Sequence, residues 1–234
     1  MAAIYLIGTF LPYLTCIVFL LGIARRIDKW NKAKSVKMTL FPAPDTPREK
    51  WARILKEILV FRGLYEGNKP LWVGAWGFHV ALALILLGHA QAVTDFPLLW
   101  RTLGVGDIEV DSISAFMGGT VGLLLIVVGG YLLLRRLSVV RVREISDVQD
   151  FLGLFLVLSV IISGDILRFG TRFDLKQSRE YLTALLTLRA APVPSHPLFL
   201  IHFFLGQILI MYIPFSKFLH IPGIFYSKSL LYQK

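Results

Sequence analysis

Five histidines stand in this 234-residue chain, and four of them fall on two long apolar segments: His79 and His89 on one, His202 and His220 on the other. An imidazole inside a hydrocarbon layer costs several kcal/mol unless it is bound or paired, so each marks a functional position. A single such histidine can do no more than hydrogen-bond a neighbouring helix. Four on two segments point to metal ligation, since a neutral ring nitrogen is a metal ligand and haem iron takes two axial ligands from opposite sides. His196, set between prolines in PSHP, reads as a surface histidine.

The elements that must position these rings are membrane helices. Hydrophobic residues make up 56% of the chain and charged residues 17%, against about 25% charged in soluble domains. Ala2–Ala24 carries no charge, and Leu71–Thr94 none beyond its two histidines. Each suffices to cross a hydrocarbon core of roughly 30 Å. The reading is an all-α, polytopic five-helix bundle in one domain, 1–234, with spans near 4–24, 71–93, 113–134, 148–166 and 198–218. The first block has no basic region before it and is followed by Arg25 and Arg26, so it is expected to be a retained helix rather than a signal peptide. Cys16, the single cysteine, excludes an internal disulfide and a multi-cysteine metal site, and no CxxCH is present.

The net charge of +10 would suggest nucleic acid in a soluble protein; here its placement gives orientation instead. Nineteen of the 25 basic residues lie in 25–70, in the loop after the third span and in the C-terminal tail. The loop Asp95–Asp111 holds four acids and one arginine. Basic loops face the cytoplasm, so the N-terminus is expected outside and the C-terminus in the cytoplasm. Residues 47–65 read as a cytoplasmic amphipathic helix lying on lipid or against a partner, with Trp51, Ile54, Leu55, Ile58 and Leu59 at spacings of three and four. A proline-rich linker, Phe41–Pro47, precedes it, and Tyr181–Ala191 reads as a short helix closed by Pro192 and Pro194.

With these directions the second and fifth spans are antiparallel, and only one level pairing is open: His89 with His202 outside, His79 with His220 inside. His202 and His220 are 18 residues apart, five whole turns of an unbroken helix, whereas His79 and His89 are ten apart, roughly 80° off a common face. The axial rises, about 27 Å and about 15 Å, also differ. Pro214 is placed to bend the fifth span and shorten its rise. Space for a flat macrocycle is sought at Gly74, Gly77, Gly88, Gly118, Gly119, Gly122, Gly129, Gly130 and Gly206, although small residues also simply let helices pack. Cations for propionates are available in Arg135, Arg136 and Lys217 at one end, and Arg168 or Arg172 at the other.

The stretch HFFLGQILIMYIPFSKFLHI (His202–Ile221), the two histidines ten apart, and GGTVGLLLIVVGGYLLLRRLSVVRVR (Gly118–Arg143) together resemble the gamma-subunit family of respiratory nitrate reductase. The resemblance implies a dihaem membrane cytochrome b with His79, His89, His202 and His220 as axial ligands, and Gly88, Gly206, Arg135 and Lys217 about the cofactors. It implies menaquinone or a similar quinone beside the outer haem, and a cytoplasmic iron–sulfur subunit receiving electrons from the inner one. A further membrane subunit is also compatible. VFRGLYEGNKPLWVGAWGFH (Val60–His79) looks more like the branch linked to dissimilatory sulfite reductase and heterodisulfide reductase, and DIEVDSISAF (Asp107–Phe116) lacks the lysines that the nitrate reductase subunit carries there. The expectation is therefore an electron-transfer subunit of a prokaryotic cytoplasmic-membrane respiratory complex, sulfite-reductase-linked or heterodisulfide-reductase-type, not catalytic alone and without nucleic acid. Nitrate reduction is the alternative branch. From other classes, a histidine-relay proton-coupled transporter and a scaffold that only anchors a soluble reductase are the rivals.

Overall fold

The computed structural model describes residues 2–33, 44–94, 96, 100, 102–170 and 175–231, and every described element is helical. Five helices are long and apolar enough to cross a membrane. They are α1 (Ala3–Lys32), α4 (Lys69–Ala90), the Ser112–Ser138 portion of α5 (Asp107–Ser138), α7 (Val148–Gly170), and Pro197–Phe215, which contains α9 (Pro197–Tyr212). Leucine, valine and phenylalanine point outward from them: Leu87 is 67% exposed, Val127 69% and Phe116 70%. Apolar side chains on the outside of spanning-length helices require a lipid solvent. The chain is a multi-pass membrane protein.

Between the spans lie α2 (Pro47–Val60), α3 (Arg62–Gly67), α6 (Val140–Glu144) and α8 (Leu175–Leu186). Thr46 caps α2, its hydroxyl accepting from the Glu49 N–H at 3.1 Å, while the Glu49 carboxylate accepts from the Asp45 N–H. Pro47 at the first turn completes this start signal. The amphipathic segment is not continuous to Tyr65, as the periodicity suggested; it breaks at Phe61. The helix read at 181–191 begins earlier and ends at Leu186, before the left-handed Leu188.

The spans pack side by side in the order α4, α5, α7, α9, α1. Phe78 and Ala81 from α4, Val121 and Leu125 from α5, and Val157 from α7 form the core between them. The glycines of α5 allow the close approach. Phe169 of α7 lies against Gly119, and the Asp165 carboxylate occupies the space a side chain at Gly122 would need. Near its start α1 contains a π-helical turn, Leu6–Phe10. The Ile7 carbonyl accepts from Gln207 Nε2 at 3.1 Å and the Gly8 carbonyl from the Tyr181 hydroxyl, so α8 and α9 anchor this end of α1. Burial pushes the Tyr181 phenol up to about 12, so it remains a hydrogen-bond donor across the physiological range. At the other end, α10 (His220–Leu231) packs on α2, and Tyr226 stacks on Trp30 at 5.8 Å.

The fifth span is not one unbroken helix. After Tyr212 the backbone tightens to a 3₁₀ turn at Ile213–Phe215, extends at Ser216, and makes a second 3₁₀ turn at Lys217–Leu219 before α10 begins at His220. Pro214 supplies no N–H to continue an α-ladder, and the Ser216 hydroxyl accepts from the Phe218 N–H at 3.3 Å to restart the chain. The reading of His202 and His220 as five turns along one helix is thereby corrected. The break at Pro214 is where that proline was expected to act.

Candidate functional site: two facing imidazole pairs

His89 of α4 and His202 of α9 face each other with ring centroids 6.1 Å apart and planes 28° apart. His79 of α4 and His220 at the start of α10 face each other at 5.7 Å, with planes 89° apart. The break after Tyr212 re-aims the chain so that the fourth ring meets His79, which removes the angular and axial mismatch of an ideal helix. Among the described residues α4 and α9 make no extensive backbone contact; the imidazoles reach across the space between them.

The ring nitrogens are sorted as metal ligation demands. His79 Nδ1 lies 2.7 Å from the Ala75 carbonyl, His89 Nδ1 2.8 Å from that of Ile85, His202 Nδ1 3.1 Å from that of Val160, and His220 Nδ1 3.0 Å from that of Lys217. A carbonyl oxygen can only accept, so in each ring Nδ1 carries the proton and Nε2 keeps its lone pair. His202 has a further contact, Ser163 Oγ at 3.0 Å, and its ring lies against Gly164.

These residues fit a bis-imidazole haem. A metal–nitrogen bond of about 2 Å places an imidazole centre about 3 Å from the iron, so two rings on opposite sides stand about 6 Å apart. Both pairs meet that distance. Among the described residues no group of three or more histidine, cysteine, aspartate or glutamate side chains could hold a metal ion, whereas a porphyrin iron asks the protein for two ligands. The glycines divide into two sets. A Cβ at Gly77, Gly88, Gly130 or Gly206 would meet nothing within 4 Å, so these positions border open space. Gly74, Gly118, Gly119, Gly122 and Gly129 are instead filled by Tyr131, Arg168, Phe169, Asp165 and Leu158, and serve helix packing.

The cations divide as well. Lys217 pairs with Asp150 at 2.8 Å and Asp147 at 2.9 Å, and Arg136 with Asp150 at 3.3 Å. Lys217 is thus engaged by the N-terminus of α7. Arg135 is half-buried and has no hydrogen-bond or ion-pair partner among the described residues, which leaves it open to an added carboxylate. Arg168 lies over Gly118 and donates to the Ser114 carbonyl at 3.1 Å; Arg172 lies outside the described residues. His196 sits half-buried at the N-cap of α9.

The Lys217 cluster locks the break in the fifth span to α7, and its pH behaviour follows from its charges. The Lys217 hydrogen bond holds the Asp147 carboxyl below the usual carboxylate range, and Asp150 holds the Lys217 ammonium above its own. A depressed carboxyl contributes stability above its unfolded value, lost as pH falls through the folded one; a raised ammonium contributes below its unfolded value, lost as pH rises through the folded one. The lock therefore holds from about pH 4 to about pH 10. Hydrogen exchange at 213–219 is expected to be flat across that window after correction for intrinsic rates, and to accelerate beyond it. Lys217→Met is expected to accelerate it within that window and to converge on the parent rate beyond it; an unchanged rate in that variant within the window rules the lock out.

Two residues at the site, Ser163 and Phe61, carry no sequence signal that singles them out. Ser163 is an ordinary helix serine until α9 brings His202 to it. Phe61, 18 positions before His79, places its ring edge-on to that imidazole at 5.1 Å. Away from the imidazoles, Asp165, an acid near the end of the fourth span, lies inside α7 against Gly122 with Oδ2 buried and without a hydrogen-bond partner.

Fold and site together define a class: a five-helix membrane protein whose second span presents two imidazoles, one to His202 of the fifth span and one to His220 just beyond it. The chain belongs to the nitrate reductase gamma subunit family, whose model matches residues 63–232. It is also 30% identical, over 95% of its length and 78% of the relative, to the Hdr-like menaquinol oxidoreductase cytochrome b-like subunit of Archaeoglobus fulgidus. The protein of the same name from Archaeoglobus profundus is 28% identical over 94% of this chain and 76% of the relative. The family match begins after α2 and takes in all four paired histidines.

Proposed function

We propose that this chain is a dihaem b-type cytochrome, the membrane subunit of a respiratory complex of the Hdr-like menaquinol oxidoreductase kind. The observation that carries this reading is the pair of imidazole couples about 6 Å apart, each ring with Nδ1 committed to a carbonyl, which leaves Nε2 as its free donor atom. His89 and His202 would hold one haem b, and His79 and His220 the other, with Gly88 and Gly206 bordering the first and Arg135 near the second. When bound, each haem supplies a one-electron couple; the chain supplies axial ligands, spacing and field. The backbone carbonyls fix each ring's tautomer and orientation before any metal arrives, lowering the cost of ligation. Lys217, read from sequence as a propionate partner, is better assigned to holding the fifth-span break.

The single domain 1–234 sits in the prokaryotic cell membrane with its N-terminus outside and its C-terminus in the cytoplasm, as its basic loops direct. In this role it moves electrons between a menaquinol or similar pool on the outer side and a cytoplasmic iron–sulfur partner near 25–70 and the tail. Protons released outside then add to the transmembrane potential. The relatives' names favour the heterodisulfide-reductase-type branch over nitrate reduction, as does the absence of lysine in Asp107–Phe116. A proton relay through these histidines is disfavoured, because Nδ1 of His79, His89 and His220 meets a backbone carbonyl that cannot pass a proton on, and the one hydroxyl beside His202 Nδ1, that of Ser163, itself donates to the Val160 carbonyl.

A reduced-minus-oxidised spectrum with pyridine haemochrome quantitation tests the reading. About two non-covalent b-type haems per chain are expected. None in a folded, membrane-inserted preparation would return the chain to the transporter class.

A further inference from the structure

The inner imidazole is held by the end of the interfacial helix. α2 closes at Phe61, whose backbone lies in the left-handed region at φ 51 and ψ 47. That position normally falls to glycine, because a side chain there crowds the following carbonyl. An aromatic residue persists in such a conformation only where its surroundings over-determine it, and such outliers gather at functional positions.

The surroundings are on α4. The indole N–H of Trp76 donates to the Leu59 carbonyl at 2.8 Å, and that of Trp72 to the Val60 carbonyl at 2.7 Å. The two indoles stack at 5.5 Å. They take the carbonyls of the last two residues of α2 and pin its end against the same helix that carries His79, one turn beyond Trp76. The chain must then turn at Phe61, and the turn drives its ring onto His79, edge-on at 5.1 Å and 79°. Phe78 meets the same imidazole at 5.7 Å and 78°. Two aromatic rings and the Ala75 carbonyl thus determine the plane of His79, and that plane lies crosswise to His220.

We propose that Phe61 is a positioning residue for the inner haem: it sets the plane of the His79 imidazole and so ties the inner ligand to the membrane-surface helix α2. This rests on the haem reading above. The angle between two axial imidazole planes governs how the iron d orbitals split, so the low-spin ferric spectrum of the inner haem reads the orientation of His79 directly. Phe61 lies just before the residues matched by the family model, 63–232, while Trp72, Trp76 and His79 lie within them.

The test uses the full-length, haem-loaded protein and three variants. Phe61→Gly removes the ring while easing the left-handed turn, so the fold is kept; Phe61→Tyr keeps the ring; His220→Ala assigns the inner signal by its loss. Electron paramagnetic resonance and a redox titration are recorded for each. The expected result is that Phe61→Gly shifts the g-anisotropy and midpoint potential of the inner haem, leaves the outer haem unmoved, and that Phe61→Tyr restores the parent values. Two parent-like signals in Phe61→Gly overturn this inference alone. A parent without low-spin haem overturns the haem reading and this inference together.

Discussion

Replacing His202 by alanine is expected to remove about half of the bound haem, the outer one, and to leave the inner one in place. The same loss is expected of His89→Ala, while His79→Ala and His220→Ala each remove the inner haem instead. The basis is geometric. His89 and His202 face each other at 6.1 Å and His79 and His220 at 5.7 Å, with all four Nδ1 protons already placed. The four variants should sort into two pairs by which potential disappears from a redox titration. A histidine whose removal leaves both haems, or a pairing across α4 such as His79 with His89, would break the assignment. The remaining partner leaves an unligated imidazole in an apolar setting, so the affected site should bind haem 10- to 100-fold more weakly at the least, an order of magnitude seen even for losses outside the coordination sphere.

Gly206→Phe is expected to abolish the outer haem without unfolding the bundle. A Cβ at Gly206 meets nothing within 4 Å, so a large side chain enters open space and its cost falls on whatever occupies that space. Gly88→Phe, beside His89, is expected to act alike. The contrasting substitution is Gly74→Ala. There a Cβ comes within 2.6 Å of the Tyr131 ring, so overpacking should lower stability by about 1–3 kcal/mol without selecting between the haems. Haem stoichiometry and thermal unfolding, measured together, separate the two kinds of glycine. Full haem content in Gly206→Phe would show that the open space faces lipid instead.

Several features were legible in sequence because they are properties of composition. The five spans follow from uninterrupted apolar length, and lipid exposure follows because the chain lacks enough polar surface to cover them. Span ends were less legible. α1 continues past Arg25 and Arg26 to Lys32, and α7 carries Asp165 and Arg168 to Gly170. Helices persist beyond the hydrocarbon boundary because backbone hydrogen bonding does not stop where hydrophobicity does.

The glycines show the limit most plainly. Nine were candidates for cofactor space, and sequence treats them alike, since glycine has no side chain to declare its surroundings. Only the packing of Tyr131, Arg168, Phe169, Asp165 and Leu158 separates the filled positions from Gly77, Gly88, Gly130 and Gly206. The same holds for cations. Arg135, Arg136 and Lys217 are equivalent by depth, and the acids at the start of α7 take two of them and leave Arg135.

By itself the sequence determined that this is a membrane protein with histidines on two of its helices, and the alternating basic loops narrowed their pairing to one level arrangement. The tertiary structure decided how they meet: Pro214 and Ser216 interrupt the fifth span so that His220 turns toward His79, and Phe61 enters a left-handed turn against that ring. Periodicity assumes an unbroken helix, and a strained backbone has no compositional mark. Both outcomes depend on contacts between residues distant in the chain, which the energy of the assembled fold selects and local propensity does not.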